Sequence, residues 1–139
     1  LEERLTTRFS IAERMRLWSE LQTNTTLTYL EIKNKKIQVE AVLIRETLRV
    51  NKFLTSLHLV ETNIMYIEIC LIAEGLKANK CLVELNLRRN KVDDNGLMIL
   101  LSALEENKCL QVLDLAENRI NGRGGICIGT TLKIKNSEL

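Results

Sequence analysis

Aromatic residues make up only 4% of this 139-residue chain, although 45% of it is hydrophobic. Its core must therefore be aliphatic. Neither sign of charge dominates, since 20 Lys and Arg stand against 18 Asp and Glu, and no block of like charge stands out. The average basic footprint of a nucleic-acid-binding or membrane-surface protein is absent. There is no signal-peptide pattern and no apolar run of roughly 18 residues, the length a membrane span needs. The one histidine, His58, and the lack of Cys-x-x-Cys or His-x-x-x-His spacing leave no metal set. No cofactor is implied. Four cysteines, Cys70, Cys81, Cys109 and Cys127, are too sparse and too regular for a secreted disulfide framework. Reduced cysteines point to the cytosol or nucleus.

What the chain has instead is a period. Asn-x-x-Leu occurs at Asn24–Leu27, Asn51–Leu54, Asn79–Leu82, Asn107–Leu110 and Asn136–Leu139, with leucines 27, 28, 28 and 29 residues apart. A fixed period in the twenties means one supersecondary unit stacked many times. With each leucine as position 1, apolar residues recur at positions 4, 6 and 11. The sets are Leu30, Ile32, Ile37; Leu57, Leu59, Ile64; Leu85, Leu87, Val92; and Leu113, Leu115, Ile120. Positions 3 to 7 alternate polar and apolar, which predicts a short half-buried strand.

At position 9, Asn90 and Asn118 are placed to donate to and accept from the turn leaving the strand, while Lys35 and Thr62 interrupt that ladder. After position 11 the period becomes helical. Leu97, Leu100, Leu101 and Leu104 share a face, as do Ile69, Ile72, Ala73 and Leu76, and less regularly Ala41, Ile44, Arg45 and Leu48. Asp93 and Asp94 precede the third helix, where a carboxylate cap is favoured. Gly96 and Gly124 recur at one position, as if the backbone must approach a neighbour there. The repeated Asn reads as a helix terminator tolerant of the left-handed conformation. Asn24-Thr25-Thr26 is formally a glycosylation sequon, better explained as one copy of that Asn.

Residues 1–23 read as the helical half of a preceding repeat, an N-terminal cap, with Ile11, Met15, Trp18 and Leu21 on one face. Its strand is missing or replaced by residues 1–8. Trp18 is either a shield for the open end or an ordinary core residue, the second being favoured. Residues 24–139 then hold four repeats starting near Leu27, Leu54, Leu82 and Leu110, with a truncated fifth at Leu139. The missing residue of the short repeat falls between Ile37 and Leu48, and the extra one of the long repeat between Leu132 and Asn136, both in helical halves. Beginning at Leu1 and stopping on a repeat leucine, the sequence reads as a segment of a longer protein. An open array with apolar ends is expected to self-associate through them or to be only modestly stable, unless residues 1–8 and those after Leu132 cap it.

Cys81 and Cys109 share the place held by Phe53 one repeat earlier, which suggests a buried apolar position, with a Cys81–Cys109 bridge as the sharper alternative. Gly122, Gly124, Gly125 and Gly129 with Thr130 and Thr131 have the glycine spacing of a phosphate loop but lack its lysine. They read as a loosened late helix.

Segments Leu82–Val92 and Leu110–Ile120 both match LxxLxLxxNxL, so the chain resembles leucine-rich repeats. The 28-residue period resembles the ribonuclease-inhibitor subclass. That resemblance implies an intracellular α/β fold: a right-handed solenoid with a parallel sheet on the concave face and helices on the convex face. The run Asn24–Asn34 weakly resembles the repeats of tropomodulins, which cap actin filaments. Such proteins are scaffolds for other proteins rather than enzymes. The alternative is a structural segment of a larger cytoskeletal or sensor protein.

On that frame, positions 3, 5 and 7 face the concave side and position 8 its rim. The partner-binding candidates are Tyr29, Glu31, Lys33, His58, Glu84, Asn86, Arg88, Arg89, Asp114 and Glu117. They vary where the core is uniform, as a recognition surface would. Tyr29 is the one aromatic anchor there. Arg88 and Arg89 suit carboxylate or phosphate recognition, although pairing with neighbouring acids is the favoured reading. A Ser56–His58 site is poorly supported, because no oxyanion device accompanies it.

Overall fold

The computed structural model describes residues 2–5, 9–121 and 131–133. Strand and helix alternate as β1 (Glu2–Leu5), α1 (Ile11–Leu21), β2 (Tyr29–Lys33), α2 (Ala41–Val50), β3 (Ser56–Val60), α3 (Tyr66–Ala78), β4 (Glu84–Asn86), α4 (Asp94–Glu106), β5 (Val112–Asp114) and β6 (Thr131–Lys133). The six strands form one sheet in chain order. β1 to β5 are parallel, and each helix packs on the next. The register follows the repeat, with Tyr29 opposite Ser56, Ser56 opposite Glu84 and Glu84 opposite Val112.

The strands form where the period is two. In β2 and β3 half-buried and buried residues alternate along the whole strand. Every leucine, isoleucine and valine at positions 1, 4, 6 and 11 of the four repeats is buried. These columns join the inward faces of the helices in one aliphatic core with Trp18 as its largest member. Trp18 is fully buried, so it is a core residue. β1 supplies the strand before α1 that the repeat demands.

Three helices start on a side-chain cap. Ser10 and Glu13 exchange bonds at α1, Glu68 accepts from the Met65 N–H at α3, and Asp93 accepts from the Gly96 N–H at α4. At α2 the N-cap residue is Glu40, and its carboxylate makes no cap. It meets Arg14 of α1 instead, at 2.7 and 3.2 Å, with both side chains buried. Arg14 also donates to the carbonyls of Phe9 and Lys36. This corrects the inward face of α1. Ile11 is 51% exposed, and Arg14 is buried beside Trp18 and Leu21. A charge is buried at tolerable cost only when a counter-charge and further acceptors meet it.

The repeated Asn also works differently from expectation. Asn51, Asn79 and Asn107 are extended, with φ of −71, −70 and −79°. Their side chains do the work. Asn79 Oδ1 accepts from the Cys81 and Leu82 N–H groups, and its Nδ2 donates to the Leu48 carbonyl one repeat back. Asn51 and Asn107 repeat the pattern, reaching Leu21 and Leu76. The left-handed residues are those at position 8, Asn34, Glu61, Arg89 and Glu117, with φ of 57–58°, and Asn63 with φ 59°.

Phe53 is exposed, and Cys81 and Cys109 are half-buried free thiols, so the place before each repeat leucine is a margin rather than core and no bridge joins the two cysteines. The Cys81 Sγ donates to the Asn51 and Leu54 carbonyls, and burial pushes its thiol up. Close backbone approach is real at Gly96, where an added Cβ would lie 3.1 Å from Val92. It is tighter at Gly75, where a Cβ would lie 2.8 Å from the Leu48 Cβ.

The sheet's last pairing departs from the repeat. β6 runs antiparallel to β5, with Leu132 opposite Leu113. Residues 131–133 are therefore strand, not the end of a helix. Backbone pairing to the exposed edge of β5 wins there over the helical reading. The other glycines of the supposed late helix, Cys127, and the fifth mark at Asn136–Leu139 lie outside the described residues.

Candidate functional site

Parallel strands about 4.8 Å apart turn each repeat position into a row across the sheet. Position 3 gives the row Tyr29, Ser56, Glu84, Val112, and position 5 gives Glu31, His58, Asn86, Asp114. All eight are half-buried. They stand on a backbone fixed by the buried columns beneath.

Five of these side chains form one polar cluster. The Tyr29 hydroxyl lies 3.1 Å from Glu31 Oε2 and 3.4 Å from His58 Nδ1, with the two rings 4.9 Å apart. On its other nitrogen, His58 lies 3.0 Å from Glu84 Oε1 and 3.1 Å from Ser56 Oγ. The Ser56 hydroxyl is also 3.4 Å from Glu84 Oε2. Nearby backbone N–H groups are already used, those of Ser56 and Glu84 donating to Thr28 and Thr55.

The second grouping is at the rim. Arg88 donates to Glu117 Oε1 at 2.6 and 3.0 Å, and Arg89 donates to Oε2 at 2.8 Å. The Arg89 guanidinium, then that of Arg88, holds the Glu117 carboxyl below the usual carboxylate range. The Glu117 bond in turn raises Arg89 above the ordinary guanidinium value. The two arginines are thus paired with a neighbouring acid.

The remaining candidates serve their own turns or stand alone. Asn86 Oδ1 accepts from the Arg88 N–H and Asp114 Oδ1 from the Ala116 N–H, the same local bond one repeat apart. Lys33, half-buried at the end of β2, has no ion pair among the described residues. No group of three or more His, Cys, Asp or Glu side chains among the described residues is placed to hold a metal ion.

Two features escaped the sequence reading. One is the buried Arg14–Glu40 pair, invisible because neither residue falls on a repeated position. The other is a cleft of about 530 Å³ along the strands' carboxyl ends. It is lined chiefly by positions 8 to 10 of successive repeats, including Lys35, Lys36, Lys91 and Arg119. Position 10 reads Lys36, Asn63, Lys91, Arg119, and that column was the available signal.

Residues 78–101 and 106–129 match the family model described as Leucine Rich repeat. Among solved structures the chain is similar to "Leiomodin-1 Actin-Binding Site 2 (ABS2)", at 22% identity and a TM-score of 0.68, over 88% of this chain and 67% of that one. No curated protein sequence matches it. Among the described residues, no helix is long and apolar enough to cross a membrane. The two matched repeats, the in-register parallel strands and the alternating helices agree: the chain folds as a leucine-rich-repeat solenoid.

Proposed function

We propose that this chain is a protein-binding module that docks a partner through its concave strand face. The observation that carries the reading is the pair of in-register rows. They set Tyr29, Glu31, His58, Glu84, Asn86 and Asp114 side by side on a rigid backbone, with chemistry that changes from repeat to repeat. Lys33, Arg88, Arg89 and Glu117 extend that surface to the rim. Tyr29 is its aromatic anchor. In this reading residues 1–23 cap four repeats that begin near Leu27, Leu54, Leu82 and Leu110. The module works in the cytoplasm, follows the ribonuclease-inhibitor subclass and needs no cofactor. Self-association through the ends of the array belongs to the same reading, and sedimentation over a range of concentrations would detect it.

The fold shared with a leiomodin-1 actin-binding site makes actin the first partner to test. Amine crosslinking followed by mass spectrometry, with purified actin and then in lysate, should place partner crosslinks at Lys33. Tyr29→Ala combined with Glu84→Lys should abolish them. Crosslinks confined to lysines of the convex helices, such as Lys77, would overturn the concave-face reading. A second reading, a spacer segment within a larger cytoskeletal or sensor protein, predicts that the same double variant leaves the parent's binding intact.

A further inference from the structure

The chain's charges nearly cancel, for a net of +2, yet the fold sorts them. The cleft at the strands' carboxyl ends gathers five cations, Lys35, Lys36, Arg89, Lys91 and Arg119, against two carboxylates, Glu61 and Glu117. Arg89 is committed to Glu117. The other four cations have no ion pair among the described residues, and Lys35 and Lys91 are half-buried. Four unpaired cations in one cleft repel one another and raise the local potential for an anion.

We propose that this cleft binds an extended acidic peptide segment of a partner protein. Adjacent repeats stand about 4.8 Å apart, so Lys91 and Arg119 form neighbouring rungs and Lys36 lies about 10 Å further along. A chain in extended conformation presents like-facing side chains about 6.8 Å apart, within reach of flexible lysine stems across that span. The rest of the lining is that of a peptide site. The side-chain amides of Asn34 and Asn63 make no bond among the described residues, and each offers donors and an acceptor to a peptide backbone. No aromatic side chain lines the cleft to stack a base. The free amides and the lack of a stacking ring favour a carboxylate-rich peptide over a nucleic acid. The site shares Arg89 and Glu117 with the rim of the concave surface, but its unpaired cations lie beyond the strand ends, so it stands whether or not that face binds a partner.

Fluorescence anisotropy with a labelled oligoglutamate peptide tests this on the whole chain. Oligoglutamate should bind with an affinity that falls as salt rises, and oligoglutamine should not bind. The variant Lys36→Gln/Lys91→Gln/Arg119→Gln should weaken binding by roughly tenfold or more. Its circular dichroism and melting midpoint should be unchanged, since none of the three side chains makes a bond among the described residues. Lys77→Gln, on the convex helices, and Tyr29→Ala, on the concave face, should leave peptide affinity unchanged. Three outcomes each overturn the proposal: no oligoglutamate binding at low salt, an equal loss from Lys77→Gln, or tighter binding of oligothymidylate or phosphatidylserine vesicles than of the peptide.

Discussion

The turn that enters each strand and the turn that leaves it solve the same problem in unequal ways. The entering turn uses one device three times: Asn51, Asn79 and Asn107, buried and extended, each gripping its own repeat and the one before. The leaving turn uses three devices. In the third and fourth repeats, Asn90 and Asn118 reach back so that their Oδ1 atoms accept from the Ile64 and Val92 N–H groups. In the second, Thr62 stands there, and its backbone carbonyl accepts from the Ile37 N–H instead. A second left-handed residue, Asn63 at φ 59°, accompanies that substitution. In the first, with Lys35 at that place, the buried Arg14–Glu40 pair holds the Lys36 carbonyl. The difference teaches which turn is free to vary. The entering turn must both end a helix and satisfy two N–H groups, which one amide side chain does. The leaving turn can be satisfied by backbone, so its side chains were available to line a cleft.

Four perturbations, in descending expected effect, can break this contrast. Glu40→Ala should cost about 3–5 kcal/mol, because it strands the Arg14 charge in the core. Urea denaturation reads that loss directly, and a cost under about 1 kcal/mol would mean that the first leaving turn is not held this way. Asn79→Thr should cost about 3 kcal/mol, since the shorter hydroxyl cannot satisfy two N–H groups and the Leu48 carbonyl together. The same substitution at Asn90 should cost less, about 2 kcal/mol: the residue's backbone carbonyl can take the Ile64 N–H as that of Thr62 takes the Ile37 N–H, but the buried Thr62 N–H loses its acceptor. Equal losses at residues 79 and 90 would erase the distinction between the turns.

The smallest effect is at the rim. Glu117 has a lowered folded-state pKa, so its pairing with Arg89 and Arg88 stabilises above the ordinary carboxylate value. That contribution disappears as pH falls through the lowered value. Carboxyl NMR titration should show a midpoint below that of free glutamate, moving up in Arg89→Ala. Thermal stability should change little, because the group is exposed.

The sequence made the columns legible because burial at positions 1, 4, 6 and 11 depends on spacing alone. It made the rows of the candidate surface legible for the same reason, since register follows from the leucines. It could not show bonds that depend on what lies one repeat away. Asn79 suits the left-handed region by residue type, yet its reach to Leu48 holds it extended, and the left-handed backbone sits at position 8 and at Asn63 instead. Arg14 broke the apolar face of α1 because its partner, Glu40, lies 26 residues on. The antiparallel β6 had no local signal either, since a three-residue strand is too short for a period to declare itself.

Trp18 is the chain's one tryptophan, wholly buried, and its indole N–H meets no acceptor among the described residues. That makes it a built-in optical gauge for one end of the array. Its emission should sit toward the blue and shift red when α1 lifts from α2, while ellipticity still reports the remaining helices. In a quasi-one-dimensional protein, where each unit leans only on its neighbours, the gap between those two signals measures whether the chain unzips from that end or melts as one.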